Sequence, residues 1–235
     1  MKKILIILIL NLSFSSFPQN AIEFYNSGTL KENLKDYNGA ILDYSKAILL
    51  NPEYGKAYFN RGLCNSYLQN YLEAIKDYSK SISLNNNLAD SYYNRGSAKD
   101  DLDDFIGAIA DFTKTIEIDP NYSKAYVNRG NSKNNISDFK GAISDLSKGI
   151  LLNDKSAIAY SDRGLVKYNC KDYSAAIIDF SVAISLDSKD DFSYLYRGCS
   201  ELKLGQTKKA CLDWGIALKL GNKDAILYFK KHCKN

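Results

Sequence analysis

Histidine is almost missing from this chain: the single copy, His232, lies three residues from the C-terminus. A histidine-based triad or a histidine metal site therefore lacks its main ingredient. Glycine-rich phosphate loops are missing as well, and so is a basic stripe. The formal charge is +4 with a pI near 8.6, and the lysines are interleaved with aspartates. Nucleic-acid binding would call for clustered cations. Only one apolar run is long enough to notice, Ile4 to Leu10, and it falls short of the ~20 residues that cross a membrane. From these absences we expect no catalytic residues, no resident metal, no cofactor and no nucleic-acid partner, and hence no enzyme. Five cysteines is an odd number, so at least one thiol stays unpaired within a monomer.

The apolar run follows Lys2 and Lys3 and precedes small and polar residues around Ser13, Ser15 and Ser16. That order is a secretory signal peptide over residues 1–20, with cleavage after Ser15 or between Ser16 and Asn20. An uncleaved N-terminal anchor is the alternative. The first cysteine is Cys64, so no lipid-modified cysteine follows the signal. The mature protein is expected to be exported, periplasmic or secreted.

What the chain has in abundance is a repeat. Ala57-Tyr-Phe-Asn-Arg-Gly62 returns in near-copies ending at Gly96, Gly130, Gly164 and Gly198, and one period earlier stands Gly28; the spacing is 34 residues throughout. Such a period is read before anything else. Four places before each glycine is an aromatic: Phe24, Tyr58, Tyr92, Tyr126, Tyr160 and Tyr194. Twelve places after it comes an alanine, from Ala40 to Ala210. Four further on is a large apolar residue: Tyr44, Tyr78, Phe112, Leu146, Phe180 and Trp214. The i, i+4 spacing sets these pairs on one helix face. Each repeat reads as two antiparallel helices joined by a short polar turn such as Leu102-Asp-Asp-Phe105, with Pro52 and Pro120 closing two repeats.

Aromatic, glycine, alanine, aromatic and proline in this order and period resemble the tetratricopeptide repeat, from Ala21 to about Asp224. The resemblance implies an all-α fold: a right-handed α-α superhelical solenoid of six helix pairs, at 21–54, 55–88, 89–122, 123–156, 157–190 and 191–224. First helices would line a concave groove. Residues 225–235 would form a C-terminal capping helix, with Ile226, Leu227 and Phe229 on its apolar side. Stacked pairs share a core that no single pair can close.

Where the family often has leucine before the glycine, this chain has Arg61, Arg95, Arg129, Arg163 and Arg197. Every second helix carries an aspartate: Asp43, Asp77, Asp111, Asp145, Asp179 and Asp213. Folding each second helix back on the next first helix pairs Asp43 with Arg61, Asp77 with Arg95 and so on to Asp213 with Lys231. This predicts a structural ladder of ion pairs between repeats. The same register opposes Cys211 and Cys233, a possible disulfide pinning the cap. Cys64 and Cys170 read as buried thiols, and Cys199 as one that could face the groove. The carboxylates Asp100, Asp101, Asp103 and Asp104 read as solvated turn residues, with weak calcium binding as the alternative.

Two places before the glycines stand Asn26, Asn60, Asn94 and Asn128. An amide offers both donor and acceptor, suited to the backbone of an extended peptide, and the resemblance implies that role for this position. The competing reading is that these amides bond only to neighbouring helices. Tyr25, Phe59 and Tyr93, one residue earlier, would give the groove aromatic surface, with Lys56 and Lys124 at its edge. The family's clamp for a C-terminal carboxylate is not reproduced: the matching places hold Tyr25, Thr29 and Asn128, with Lys124 alone agreeing. The sequence thus reads as a protein-interaction module, adaptor or assembly scaffold, that holds a peptide segment of a protein partner in its groove. The alternative is a self-associating scaffold using its convex face or its ends.

Overall fold

A computed structural model describes residues 16–233. The leader expected at 1–20 falls outside the described residues up to Ser15, and residues 16–20 form the first turns of a helix. Among the described residues the chain is all helix: α1 (Ser16–Asn33), α2 (Tyr37–Leu50), α3 (Gly55–Tyr67), α4 (Tyr71–Ser83), α5 (Leu88–Asp100), α6 (Phe105–Ile118), α7 (Ser123–Asn135), α8 (Phe139–Leu152), α9 (Ala157–Asn169), α10 (Tyr173–Leu186), α11 (Asp191–Lys203), α12 (Thr207–Leu220) and α13 (Ala225–His232). The chain divides into two compact units, residues 1–91 and 92–235. Within each unit, a first helix packs on its own second helix and that second helix on the next first helix. This is the layering of an α-α solenoid.

The turn inside each repeat is made the same way six times. Lys35, Gln69, Asp103, Ser137, Lys171 and Gly205, each seven residues after the repeat glycine, adopt left-handed backbone with φ of 60 to 75°. The next residue is the N-cap of the second helix. Asp36, Asp104, Asp138 and Asp172 accept a hydrogen bond from the N–H three residues on, satisfying one of the helix's orphan donors.

The core follows from the glycine register. A Cβ on Gly62 would meet the Tyr78 ring at 2.8 Å, and Gly164 stands in the same relation to Phe180. Glycine thus lets a ring of the second helix lie flat on the first. Ala40, Ala74, Ala108, Ala142, Ala176 and Ala210 are fully buried beside Tyr44, Tyr78, Phe112, Leu146, Phe180 and Trp214. Trp214 also finds a partner for its indole N–H, which donates to the Leu195 carbonyl at 3.1 Å.

The first-helix aromatics have a role of their own, and the apolar side expected for α13 is corrected. The aromatics at Phe24, Tyr58 and their equivalents are only half-buried, because the second-helix ring already fills the place against the glycine. They serve instead as platforms: the Arg61 guanidinium carbon lies 5.6 Å from the Tyr58 ring centre, and Arg95, Arg129, Arg163 and Arg197 repeat the arrangement. On α13, Ala225 is buried and Phe229 half-buried, while Leu227 is 73% exposed. The inward side of that helix is formed by Ala225, Phe229 and the Tyr228 and His232 rings over Trp214.

Candidate functional site

The most regular polar feature is the arginine–aspartate clamp, and it runs inside each repeat, not between repeats. Arg61 Nε and Nη2 donate to Asp77 at 2.9 and 2.7 Å. Arg95 holds Asp111, Arg129 holds Asp145, Arg163 holds Asp179 and Arg197 holds Asp213 in the same bidentate way. Asp43, expected to face Arg61, instead accepts from Ser27 and Lys31 of its own repeat, and Lys231 has no role in the clamp of Asp213. The reason lies in symmetry. Asp43 and Arg61 are equidistant from the turn at Pro52, but Arg61 and Asp77 are equally equidistant from the turn at Gln69. Close approach at the Gly62–Tyr78 contact decides for the second, because Arg61 and Asp77 are the neighbours of those two residues. The contact that does cross between repeats is a hydroxyl. Arg61, Arg129, Arg163 and Arg197 each spend Nη1 on Ser45, Thr113, Ser147 or Ser181 of the preceding second helix.

Beside each aspartate sits the residue three places after the glycine. It is a lysine in four repeats, with Lys31, Lys99, Lys133 and Lys167 lying 2.6 to 2.8 Å from Asp43, Asp111, Asp145 and Asp179. Repeat two has Asn65 there. Repeat six has Glu201, 6% exposed, whose Oε2 has no hydrogen-bond partner. Burial, reinforced by the Asp213 charge, pushes Glu201 up to about 7.

The predicted groove residues fall partly together. In the N-terminal unit Tyr25, Lys56, Phe59 and Asn60 line one cavity of about 370 Å³ with Asn86 and Asn87. Tyr25 is half-buried between the Tyr44 and Tyr54 rings at 5.6 and 5.0 Å, and Phe59 packs on Tyr78 at 5.9 Å. Asn60 Nδ2 donates to the Tyr25 and Tyr44 hydroxyls at 3.2 and 3.3 Å. Burial and the adjoining Glu32 carboxylate hold the Tyr44 phenol above its usual range. Asn26 on α1 is exposed, as is Lys56. In the C-terminal unit Tyr93 repeats the arrangement with Phe112 and Tyr122, and its hydroxyl accepts from Asn128 Nδ2 at 3.1 Å. Asn94 is half-buried and Lys124 exposed. The amides of Asn60 and Asn128 therefore do bond between helices, as the competing reading had it. The Asn60 amide also borders open space.

Asn86 and Asn87 were not singled out from the sequence. The available signal was the run Asn85-Asn86-Asn87 where two other repeats have a proline-containing turn. Asn85 and Asn87 take left-handed backbone, φ 53 and 45°, which asparagine tolerates better than most residues. The corresponding cavity of the C-terminal unit, about 410 Å³ between Ile158 and Phe192, is acidic: Asp162, Asp187, Asp190 and Asp191 line it with Lys189. Asp162 stands in the asparagine register and accepts from Asn131 Nδ2 at 2.8 Å. Burial raises its carboxyl above the normal range.

Cys211 and Cys233 are joined in a disulfide that ties α12 to α13. Cys64 and Cys199 are buried, and burial lifts their thiols to about 12 and about 11. Cys170 is exposed, contrary to expectation: it is the cap of α9 at the start of a turn, where Leu34 and Leu102 of other repeats are exposed too. Asp104 caps α6 and Asp100 accepts from the Ser132 hydroxyl. Among the described residues no cluster of candidate metal ligands occurs, and no helix is long and apolar enough to cross a membrane.

Helix pairs with a recurring glycine contact and six turns of one design define the class of α-α helical-repeat proteins. Tetratricopeptide-repeat family models match residues 24–54, 55–88 and 89–122, three of the six repeats. No curated protein matches it. Among solved structures, MamA is 25% identical with a TM-score of 0.66, over 69% of this chain and 95% of its own. YrrB, described as a tetratricopeptide-repeat protein with an unusual peptide-binding site, is 19% identical with a TM-score of 0.66, over 74% of this chain and 90% of its own. PilF of Pseudomonas aeruginosa is 13% identical with a TM-score of 0.75, over 92% of this chain and 97% of its own. The chain is thus built as a protein-interaction module.

Proposed function

We propose that this protein binds an extended segment of a protein partner along its first helices and serves as a non-catalytic adaptor or assembly scaffold. The observation that carries the reading is the cavity in which Tyr25, Lys56, Phe59 and Asn60 converge. Aromatic walls supply apolar contact for a side chain, while the Asn60 and Asn87 amides offer pairing to a peptide backbone. The order of residues 1–20 supports export to the periplasm or beyond, which mass analysis of the N-terminus of the native protein tests directly.

The test of the groove is affinity capture from the cell envelope fraction with the wild-type chain beside an Asn60, Asn94, Asn128→Ala variant. Because Asn60 and Asn128 also bond to tyrosines, the variant is first checked for wild-type helicity and melting, and a Lys56→Glu variant is run in parallel. Loss of the same partner in both folded variants supports the groove; retention in both removes it. Retention with concentration-dependent self-association favours the alternative scaffold, for which the apolar cavity of about 640 Å³ beside Leu212, Ile216 and Phe229 provides a surface.

A further inference from the structure

Across the repeats, one socket is filled from within in four cases and left open in one. In repeats one, three, four and five the clamp aspartate receives a lysine ammonium from three places after the glycine. In repeat two the residue is Asn65. Its Nδ2 reaches Asp77 at 3.2 Å, longer and uncharged where the lysines are short and charge-assisted. With the two bonds from Arg61, Asp77 has three donors against roughly four acceptor sites of a carboxylate. The truncation leaves a cavity of about 240 Å³ bounded by Ile41, Ser45, Arg61, Asn65, Glu73 and Asp77.

The second change in this repeat has the same electrostatic sense. Eleven places after the glycine, where repeats one, three, four and five have Gly39, Gly107, Gly141 and Ala175, repeat two has Glu73. One ammonium has gone and one carboxylate has arrived. Lys76 meets Glu73 at 2.6 Å, yet both of these side chains are well exposed, 69% and 59%, so that pair sits at the rim. Ile41 gives the cavity an apolar wall against which an alkyl stem can lie.

We propose that this cavity is a socket for the lysine side chain of a partner protein, whose ammonium takes the place that the protein's own lysine occupies in the sibling repeats. The stem lies on Ile41 and the ammonium bonds Asp77 and Glu73. The site is on the side of α3 away from Lys56, Phe59 and Asn60, since a helix turns 3.6 residues per revolution. It therefore stands or falls independently of the groove.

The test is NMR titration of the full chain with Nα-acetyl-lysine amide, following the backbone amides of Asn65 and Asp77. A saturable shift with a dissociation constant on the order of 1 mM is expected, weakened roughly tenfold in Glu73→Gln. It should be lost in Asn65→Lys, which supplies the ammonium internally and should melt above wild type. Nα,Nε-diacetyl-lysine amide, which has the stem without the charge, should give no response. The proposal is overturned by absence of a saturable shift, by an undiminished response in Asn65→Lys, or by an equal response to the diacetyl compound. An equal response to glycine amide would also overturn it, because the socket would then read an ammonium without a stem.

Discussion

Repeats five and six share a skeleton and differ in charge. Arg163 holds Asp179 as Arg197 holds Asp213, with bonds of 2.7 to 2.8 Å. Beside that clamp repeat five places Lys167, 2.7 Å from Asp179, whereas repeat six places the buried Glu201, whose Oε2 has no hydrogen-bond partner. Two cations serve one carboxylate in the first case; in the second the guanidinium bonds Asp213 alone, with the Glu201 carboxyl buried nearby. The backbone and the clamp accept either arrangement, so the group three places after the glycine adjusts the charge of a repeat without setting its fold. The turns differ also: Lys171 against Gly205 in the left-handed position. Repeat six has in addition a covalent tie to α13.

The largest effect should come from removing the aspartates. Asp179→Ala leaves Arg163 and Lys167 facing each other at a site where the aspartate was 2% exposed, and should cost about 3–5 kcal/mol. Asp213→Ala should cost roughly half as much, because Glu201 can take over Arg197. Urea unfolding followed by far-UV circular dichroism and by the fluorescence of the lone Trp214 checks both; equal losses would show that Glu201 plays no compensating part. Reduction of the Cys211–Cys233 bond should come next, at about 3 kcal/mol for a loop closed over a sequence separation of 22. The loss should appear in the tryptophan signal, since Tyr228 and His232 of α13 pack on Trp214.

The difference in charge predicts a pH dependence specific to repeat six. The Glu201 carboxyl, at 4.5 in the unperturbed state, is pushed up to about 7 in the fold. Between these values the folded protein holds a proton that the unfolded chain has released. Stability from this group is therefore complete below about pH 4.5, falls as pH rises to about 7, and is flat above. Glu201→Gln should remove that slope and raise stability at pH 8 by about 1–2 kcal/mol. Glu201→Lys, which copies repeat five, should do the same. Melting curves of wild type and both variants at pH 5 and pH 8 decide: a wild type as stable at pH 8 as at pH 5, relative to Glu201→Gln, would contradict the assignment.

Much of this was legible in the residues, and the parts that were not have a common cause. The period, the glycine register and the burial of Ala40 to Ala210 with the large apolar residues four places on follow from spacing alone, because a helix face is a matter of arithmetic. The pairing of aspartate with arginine is not, since the turns at Gln69 and Pro52 satisfy the same arithmetic and only side-chain reach distinguishes them. Tyr58 is a case of the same kind: the second-helix ring reaches the glycine first and leaves Tyr58 to stack under Arg61. Cys170 carried no sign of exposure, because its counterparts are leucines and an isoleucine, of which Leu34, Leu102, Ile136 and Leu204 are themselves exposed at the turn. The groove residues Tyr25, Lys56, Phe59 and Asn60 were found through their register, while Asn86 and Asn87 were passed over because turns break it. Asn65 and Glu201 were visible all along as departures from lysine, but their meaning required knowing that the lysines bind the aspartates.

The smallest expected effect concerns the turns, and it separates backbone from side chain. At Gly205 a Cβ would meet nothing within 4 Å, so Gly205→Ala tests the left-handed backbone alone and should cost about 1–2 kcal/mol. The reverse change in repeat five, Lys171→Gly, relieves the same strain at φ 64° but loosens the unfolded chain, which offsets about 0.4–1 kcal/mol of the gain. A net stabilisation of about 0.5 kcal/mol is expected, visible as a small rise in the urea midpoint with an unchanged slope. If Lys171→Gly destabilises instead, the lysine side chain contributes to the turn, and the two turns differ by more than glycine's freedom.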